Sequence, residues 1–299
     1  MIKPAFSTVA CPDWTLDEVA ANAARYGYAG VELRTFGERS TQLACDPALT
    51  ANEKTLAMFR AVGVEIVSLG ASTSFHDPVT PPVIGQVISD TERSVREAKR
   101  AVDRALALEC PYVRVFGFQI PGREKRTVTL DRIARRLTMV ADHAAKTGVR
   151  LVVQNGGSFT TAASLRELID AVGNPLVGAC YSLDVGVKEG DEIASANATL
   201  GDRLWVTRIK DLDVEGQPRP LGAGVLPCKQ MVQTLVASGF DGPLVYEWDR
   251  LWFPNLAKAA DVLPAAALQI FQWLEEFEGR RRATSAQVGT HPAPVGGAR

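Results

Sequence analysis

Two stretches near the C-terminus, WVTRIKD (205–211) and PLVYEWD (243–249), begin like apolar strands and end in dense charge. Because strand side chains alternate between faces, Arg208 and Lys210 share one face of the first stretch. Glu247 and Asp249 share a face of the second stretch in the same way. A cation can polarise a carbonyl oxygen, and a carboxylate beside it can accept a proton from the carbon next to the carbonyl. The spacing therefore predicts acid–base chemistry if the two strands end side by side in the fold.

A barrel of parallel strands would bring these strand ends together. Short β-branched runs alternate with helical patterns at roughly 35 residues per unit, which favours right-handed βα units over an open sheet. This pattern predicts a single-domain (β/α)8 TIM barrel with the charges at its mouth. The eight predicted strands cover residues 4–9, 30–34, 64–69, 112–116, 150–155, 177–184, 204–210 and 243–248.

The composition and the N-terminal sequence favour a soluble protein. Lys and Arg (33) nearly balance Asp and Glu (34) and are interspersed with them, which argues against a nucleic-acid partner. The N-terminus lacks the apolar core of a signal peptide, and no apolar run reaches the length of a membrane span. We therefore expect a cytoplasmic protein with no membrane partner. A homo-oligomer is compatible with the sequence.

The last 21 residues differ from the rest of the chain. After Glu278 the sequence GRRRATSAQVGTHPAPVGGAR has no apolar periodicity. Such a composition is typical of disorder. We therefore predict that the barrel spans residues 1–278 and that residues 279–299 form a disordered tail.

The scarcity of histidine limits the chemistry that the mouth could support. Of the three histidines, His143 falls in a predicted outer helix and His291 in the tail. Only His76, after the third predicted strand, could reach the mouth. A histidine-rich transition-metal site therefore cannot be assembled from this sequence.

Several motifs resemble a known family. AFSTVACPDWTLDEV, YGYAGVELRTFG, IKDLD, LGAG, GFDG and YEWDRLWFP, in this order, are similar to the sugar phosphate isomerase/epimerase family of xylose-isomerase-like TIM barrels. The resemblance runs from about residue 5 to residue 277. It implies the barrel fold and a small carbohydrate-like substrate, such as a sugar, keto-sugar or polyol derivative.

The resemblance also implies a metal site, from which this chain departs. Members of the family usually hold a divalent metal with Glu on strand five, Asp on strand six, His on strand seven and Glu on strand eight. The corresponding residues here are Gln154, Asp184, Arg208 and Glu247. Ser182, two residues before Asp184 on the same strand face, is an alternative for the strand-six position.

An arginine at the histidine position would place a permanent positive charge where the metal stands, and it would repel a divalent ion. We therefore expect no cofactor and a metal-independent isomerase, epimerase or lyase that removes a proton next to a carbonyl. In this interpretation Glu247 is the base, Arg208 polarises the substrate oxygen, Lys210 neutralises charge or acts as an acid, and Asp184 completes the catalytic set.

Two alternatives remain open at this stage. In the first, Asp184, Glu247 and Gln154 hold Mg or Mn, and the protein is a metal-dependent sugar isomerase or epimerase. In the second, the charges form a structural network in a catalytically silent barrel. Such a barrel would bind a carbohydrate-like ligand or a partner protein.

Other residues at the predicted strand ends suit substrate binding. Glu32 and Arg34 end strand two, and Arg114 faces inward on strand four, where all three could bind substrate; an ion pair between Glu32 and Arg114 is the alternative to ligand contact. The amides of Gln154 and Asn155 suit hydroxyl groups, and the LGAG turn (221–224) could approach a phosphate through its backbone N–H groups. His76, Trp248 and Trp252 also lie at or beside predicted mouth loops, where the tryptophans could provide flat apolar walls.

Overall fold

A computed structural model describes residues 1–36, 42–43, 50–77 and 93–288, and within it eight parallel strands close into a barrel. Each strand pairs with the next along the chain, and the last pairs with the first, which closes the ring. The predicted (β/α)8 fold is therefore confirmed. The strands are β1 (Lys3–Ser7), β2 (Gly30–Phe36), β3 (Glu65–Ser74), β4 (Tyr112–Phe116), β5 (Arg150–Gln154), β6 (Val177–Ser182), β7 (Leu204–Ile209) and β8 (Pro243–Tyr246).

Helices surround the barrel and alternate with its strands. Thr15 caps the first helix by accepting the Glu18 backbone N–H, while the Glu18 carboxylate accepts the Thr15 backbone N–H at 2.8 Å. None of the described helices is long and apolar enough to cross a membrane. The helices are α1 (Leu16–Tyr26), α2 (Asn52–Ala61), α3 (Arg93–Ala107), α4 (Arg126–Ala144), α5 (Ala162–Val172), α6 (Leu183–Lys188), α7 (Ile193–Leu200), α8 (Cys228–Ser238) and α9 (Ala259–Val288).

Helix α9 continues past Glu278, so the domain boundary predicted at residue 278 falls inside a helix. Arg280 pairs with Glu276 at 2.8 Å, and Arg281 donates to the carbonyl oxygen of Val236 at 3.0 Å. These contacts come from charged side chains, which hydrophobic periodicity does not register. The predicted disorder of residues 289–299 lies outside the described residues.

The interior of the barrel has two layers that differ in chemistry. The lower layer is an apolar cluster formed by one small or β-branched side chain from each of six strands. Moving two residues along a strand keeps the side chain on the same face. Val206 of the lower layer is thus followed by Arg208, and Val245 is followed by Glu247. The lower layer consists of Ala5, Val67, Val152, Cys180, Val206 and Val245.

The N-terminal end of the barrel is covered by Trp205. The pairing of β6 with β7 shifts register here, between Ala179 and Cys180. A Cβ on Gly178 would lie 2.5 Å from the Trp205 ring, so glycine leaves the space that the indole fills. Tyr112 stacks on Trp205 with ring centroids 6.3 Å apart. With this end covered, the charged upper layer lies at the opposite end, where the strands end.

Candidate active site

Three carboxylates surround one ammonium group at the mouth. The Nζ atom of Lys210 lies 2.9 Å from Glu247 Oε1, 2.9 Å from Asp249 Oδ2 and 3.5 Å from Asp184 Oδ2. We call these four residues the carboxylate cluster. Asp184, Lys210 and Glu247 are only partly buried, which leaves the cluster open to a ligand, while Asp249 is buried. Asp249 was not among the predicted site residues, although its spacing of two from Glu247 indicated the same face.

A second charged group lies deeper, around Glu32. This carboxylate is fully buried and accepts Arg114 Nε at 3.0 Å, Arg208 Nη1 at 2.6 and 2.7 Å, and Ser7 Oγ at 2.9 Å. A Cβ on Gly70 would lie 2.6 Å from Arg114 Nη2, so a glycine in β3 makes room for the pair. The Glu32–Arg114 ion pair is therefore present, and Glu32 does not face a ligand.

Arg34 lies beside this group on β2. Its Nη1 atom donates to the carbonyl oxygens of Gly70 and Ala71, each at 2.8 Å. Arg34 is 9% exposed, against 3% for Arg114 and 2% for Arg208, so it is the member nearest to solvent. We call Arg34, Arg114, Arg208 and Glu32 the arginine cluster.

Arg208 joins the two clusters. One of its Nη atoms contacts both oxygens of Glu32, and the other pairs with Glu247. Its planar fork is therefore occupied by carboxylates, and only 2% of the residue is exposed. The predicted role of Arg208, polarising a substrate oxygen directly, does not fit this geometry. Its contacts instead fix the positions of Glu32 and Glu247.

Burial and charge act in opposite directions on the arginine cluster. Burial alone would raise the pKa of Glu32, but the adjacent Arg114 and Arg208 outweigh it and hold that pKa well below its usual range. Burial would lower the pKa of Arg114, and the charge and hydrogen bonds of Glu32 raise it instead. For Arg34, burial lowers the pKa, the charges of Arg114 and Arg208 lower it further, and the charge of Glu32 acts in the opposite direction.

Ser182 and Asp184, the two candidates for the strand-six position, lie in different elements. Strand β6 ends at Ser182, whose register partner is Arg208, while Asp184 lies in the first turn of α6. Ser182 Oγ donates to Asp184 Oδ1 at 2.7 Å. Asp184 therefore supplies the carboxylate at the mouth, and Ser182 orients it.

The donor set does not fit a divalent metal. Glu247 and Asp249 accept the Lys210 ammonium, which lies at the point where the three carboxylates converge. Gln154 offers its Oε1 atom to Arg114 Nη1 at 2.8 Å. Within residues 1–36, 42–43, 50–77 and 93–288, no group of three or more His, Cys, Asp or Glu side chains has the geometry to hold a metal ion. The sequence predicted that Arg208 would supply the positive charge of this site, but the cation among the three carboxylates is Lys210.

Two of the predicted substrate-binding residues have structural roles instead. Asn155 is 1% exposed, donates to the carbonyl oxygens of Thr160 and Ser182, and accepts the Ser182 N–H at 2.6 Å. Trp248 is buried in the core, and its Nε1 donates to the Ala257 carbonyl oxygen at 2.9 Å. Sequence could not distinguish these residues from site residues, because both lie within two residues of the end of a barrel strand.

Aromatic side chains form part of the rim. Trp252 is 53% exposed in the loop after β8, where its backbone N–H donates to the carbonyl oxygen of Asp249 at 2.9 Å. His76 lies after β3, and its ring centroid is 6.0 Å from that of Phe118. Phe118 was not predicted. It is exposed and has a φ of 66°, a conformation that is rare for a bulky side chain and gives no recognisable sequence signal.

The LGAG turn is not available to a phosphate. Its Gly222 and Gly224 N–H groups each donate to Asp211 Oδ2 at 2.9 Å, and the Leu226 N–H donates to Asp211 Oδ1 at 3.1 Å. The buried Asp211 carboxylate therefore takes up the backbone donors that a phosphate would need. The suggested phosphate contact does not agree with this arrangement.

A family model described as a xylose isomerase-like TIM barrel matches residues 20–275. The chain belongs to this family. This member of the xylose isomerase-like TIM barrels carries an arginine on β7 and a lysine directly after β7, and both contact carboxylates of the site. The predicted resemblance is confirmed. No curated protein matches the sequence.

Solved structures share the fold at low identity. An L-ribulose 3-epimerase has a TM-score of 0.77 at 15% identity, covering 98% of this chain and 100% of that chain. An IolI protein with a bound zinc atom has a TM-score of 0.74 at 16% identity, covering 92% and 99%. A probable 3-DHS dehydratase, AsbF from Bacillus anthracis, has a TM-score of 0.71 at 15% identity, covering 89% and 97%.

Proposed function

We propose that this protein is a metal-independent isomerase, epimerase or lyase that acts on a small hydroxylated carbonyl compound. The observation that carries the proposal is the Lys210 ammonium among Asp184, Glu247 and Asp249 at the mouth of the barrel. A fixed cation at this point can stabilise the negative oxygen that forms when a proton leaves the carbon next to a carbonyl. A carboxylate beside it can accept that proton.

Asp184 is better placed than Glu247 to be the base. Both oxygens of Glu247 are engaged by cations, one by Arg208 and the other by Lys210, so Glu247 would have to break an ion pair to accept a proton. Asp184 contacts Lys210 at the longest of the three distances, 3.5 Å, and otherwise accepts a neutral hydroxyl from Ser182. We therefore assign the base to Asp184 and a positioning role to Glu247, which was the base expected from the sequence.

The reaction proceeds by proton transfer at carbon. Asp184 takes the proton from the C–H bond next to the carbonyl, and the bonding electrons move onto the carbonyl oxygen to form an enediolate. Lys210 stabilises this oxygen, because a substrate oxygen can replace the long contact to Asp184. Delivery of a proton to the opposite face by a second acid gives an epimer, and return of the proton by Asp184 to the neighbouring carbon gives an isomer. Loss of a β-hydroxyl as water instead completes an elimination.

This range of reactions is supported by two solved structures that share the fold, an L-ribulose 3-epimerase and a probable 3-DHS dehydratase. A relative with a bound zinc atom has the same fold. A metal-dependent enzyme that uses Asp184, Glu247 and Gln154 is the weaker alternative here, because Lys210 and Arg114 already engage these oxygens.

One observation favours a catalytically silent barrel as the second candidate. Glu247 and Glu32 both have their two oxygens bound by cationic side chains, as in a purely structural network. The two candidates differ in whether a carbon-bound proton exchanges with solvent. A silent barrel binds the ligand without exchange, and an enzyme catalyses exchange even where the net conversion is small.

The test is hydrogen–deuterium exchange. A panel of keto-sugars and hydroxy-keto compounds is incubated with the protein in D2O, and loss of the proton next to the carbonyl is followed by NMR. We expect exchange with at least one compound and a loss of roughly a hundredfold or more in Lys210→Met. Lys229→Met is the matched control, since Lys229 pairs with Glu276 on the outer helices. Binding without exchange by the unmodified protein would favour the silent barrel.

A further inference from the structure

Asp249 is the member of the carboxylate cluster to which the proposed reaction gives no part. Its Oδ2 atom accepts the Lys210 ammonium at 2.9 Å. The Asp249 side chain is 9% exposed, against 15% for Asp184, so it is the more sheltered of the two. A carboxylate that lies beside the cation of such a site is placed to exchange a proton with the bound substrate.

Asp184 and Asp249 approach Lys210 from the two strands that flank it. Strand β7 lies between β6 and β8 in the barrel, and Lys210 directly follows β7. Asp184 follows β6, and Asp249 follows β8. Their Oδ2 atoms lie 3.5 Å and 2.9 Å from the same Lys210 nitrogen. A substrate whose carbonyl oxygen is held by Lys210 therefore has one carboxylate on each side.

We propose that Asp249 is the second catalytic acid of this site and that the reaction is an epimerisation. The inference rests on the proposed function and selects one of its three reactions. Epimerisation needs two proton-transferring groups, one on each face of the carbon that is inverted, because a single group returns the proton to the face from which it came. Asp184 and Asp249 provide such a pair.

The proton balance closes with these two carboxyl groups. Asp184, as a carboxylate, takes the proton from the carbon next to the carbonyl, and the electrons of the C–H bond move onto the oxygen beside Lys210. Asp249, which enters this step as a carboxylic acid, gives its proton to the other face of the same carbon. The enediolate electrons form the new C–H bond, and the carbonyl is restored. Exchange with water then removes the proton from Asp184 and returns one to Asp249, and the reverse reaction begins at Asp249.

Glu247 is less suited to this role than Asp249. One oxygen of Glu247 pairs with Arg208 and the other with Lys210, so both are occupied by cations. Among the described residues, hydrogen bonds reach the Asp249 side chain at Oδ2 alone. The Oδ1 atom of Asp249 is thus the one that can carry a proton to the substrate.

The backbone after β8 holds Asp249 in place. Its carbonyl oxygen accepts the backbone N–H of Trp252 at 2.9 Å and that of Phe253 at 3.0 Å. The backbone N–H of Leu251 donates to the carbonyl oxygen of Val9 at 3.0 Å, which ties this turn to the segment after β1. The position of Asp249 is therefore set before a substrate arrives, as proton transfer over a fixed distance requires.

The test separates proton removal at the two faces by isotope exchange. The probes are two pairs of ketoses that differ only in configuration at the carbon next to the carbonyl, D-fructose with D-psicose and L-ribulose with L-xylulose. Each sugar is incubated in D2O with the unmodified protein, Asp184→Asn or Asp249→Asn. NMR follows deuterium at that carbon and the formation of the other epimer. We expect the unmodified protein to interconvert the two sugars of at least one pair.

The two variants should fail in opposite ways. In Asp249→Asn, interconversion should fall by roughly a hundredfold or more, while Asp184 still exchanges the proton of one epimer at a rate within about tenfold of the original. In Asp184→Asn, interconversion should also be lost, and exchange should be confined to the other epimer. A purely structural role of Asp249 would instead lower the exchange of both epimers equally.

Two further variants serve as controls. Asp249→Glu keeps a carboxyl group and should retain part of the interconversion. Asp103→Asn makes the same chemical change on the outer helices, where Asp103 pairs with His143 at 2.6 Å, and it should leave both interconversion and exchange unchanged.

The outcomes distinguish this inference from the proposed function. Unchanged interconversion in Asp249→Asn, or equal loss of exchange for both epimers, overturns the role of Asp249 and leaves the proposed function standing. Isomerisation or loss of water without inversion by the unmodified protein overturns the epimerisation. Absence of exchange in both ketose pairs overturns the inference, and absence of exchange in the wider panel of keto compounds overturns the proposed function as well.

Discussion

The lower and upper layers of the barrel interior are built by the same strands but have opposite chemistry. At the lower level the inward side chains are Ala, Val and Cys, and they are fully buried. Two residues further along the same faces, β5 carries Gln154, β6 carries Ser182, and β7 carries Arg208. On these three strands the chain thus changes from an apolar core to a polar network within two residues.

This difference shows where charge is tolerated in the molecule. Burying an ion is costly unless partners satisfy it, and the lower layer offers no such partners. In the upper layer, Glu32 and Arg208 are as buried as the lower valines but are bound by opposite charges on neighbouring strands. The buried charges of the upper layer are therefore tolerated because each has an ion-pair partner. Removing one partner should lower the free energy of unfolding, and the loss should be larger where the remaining charge is more deeply buried.

The largest expected effect comes from placing a charge in the lower layer. Val206→Asp adds a carboxylate at a fully buried position surrounded by apolar side chains. We expect a loss of roughly 3–5 kcal/mol in the free energy of unfolding, measured by chemical denaturation. Val206→Ala, which removes methyl groups without adding charge, is the control and should cost less. Equal stability of the two variants would show that the lower layer accommodates charge.

A similar loss is expected from removing the central anion of the upper layer. Glu32→Gln leaves Arg114 without its ion-pair partner and should cost on the order of 3–5 kcal/mol. Because Arg114 and Arg208 hold the pKa of Glu32 low in the folded protein, this carboxylate stabilises the fold above its ordinary pKa.

The lowered pKa of Glu32 also predicts how the free energy of unfolding depends on pH. The contribution of Glu32 should be complete above about pH 5 and should decrease as the pH falls below the ordinary glutamate pKa of about 4.3. Unfolding free energies measured from acidic to neutral pH should therefore converge for the unmodified protein and Glu32→Gln as the pH falls. A constant difference between the two curves would contradict the assigned role of Glu32.

The smallest effect on stability is expected at Asp184, together with a large effect on chemistry. Asp184→Asn removes the proposed base but breaks only a 3.5 Å contact to Lys210, so stability should change by about 1 kcal/mol or less. Proton exchange should fall by roughly 10²–10⁴-fold. Glu247→Gln weakens two closer ion pairs and should destabilise the protein more than Asp184→Asn does. If only Glu247→Gln abolishes exchange, then Glu247 is the base.

The sequence predicted the barrel because the pattern of strands and helices depends on local hydrophobic periodicity. It also predicted that Arg208, Lys210, Asp184 and Glu247 would meet, since parallel strand ends converge at one mouth. It did not predict which cation each carboxylate would contact, because this depends on side-chain reach between strands. Asn155 and Trp248 were mistaken for ligand-binding residues, since their buried backbone partners are distant in sequence or lie in a loop. The end of α9 was missed because charged side chains hold it.

We propose that Lys210 takes the place of a divalent metal in this xylose isomerase-like barrel. The most direct measurement is the metal content of protein purified without chelator, determined beside proton exchange with and without EDTA. We expect less than stoichiometric Mn, Zn, Co or Mg, and exchange that EDTA does not change. One bound metal ion per chain, together with exchange that is lost on chelation and restored by that metal, would contradict it.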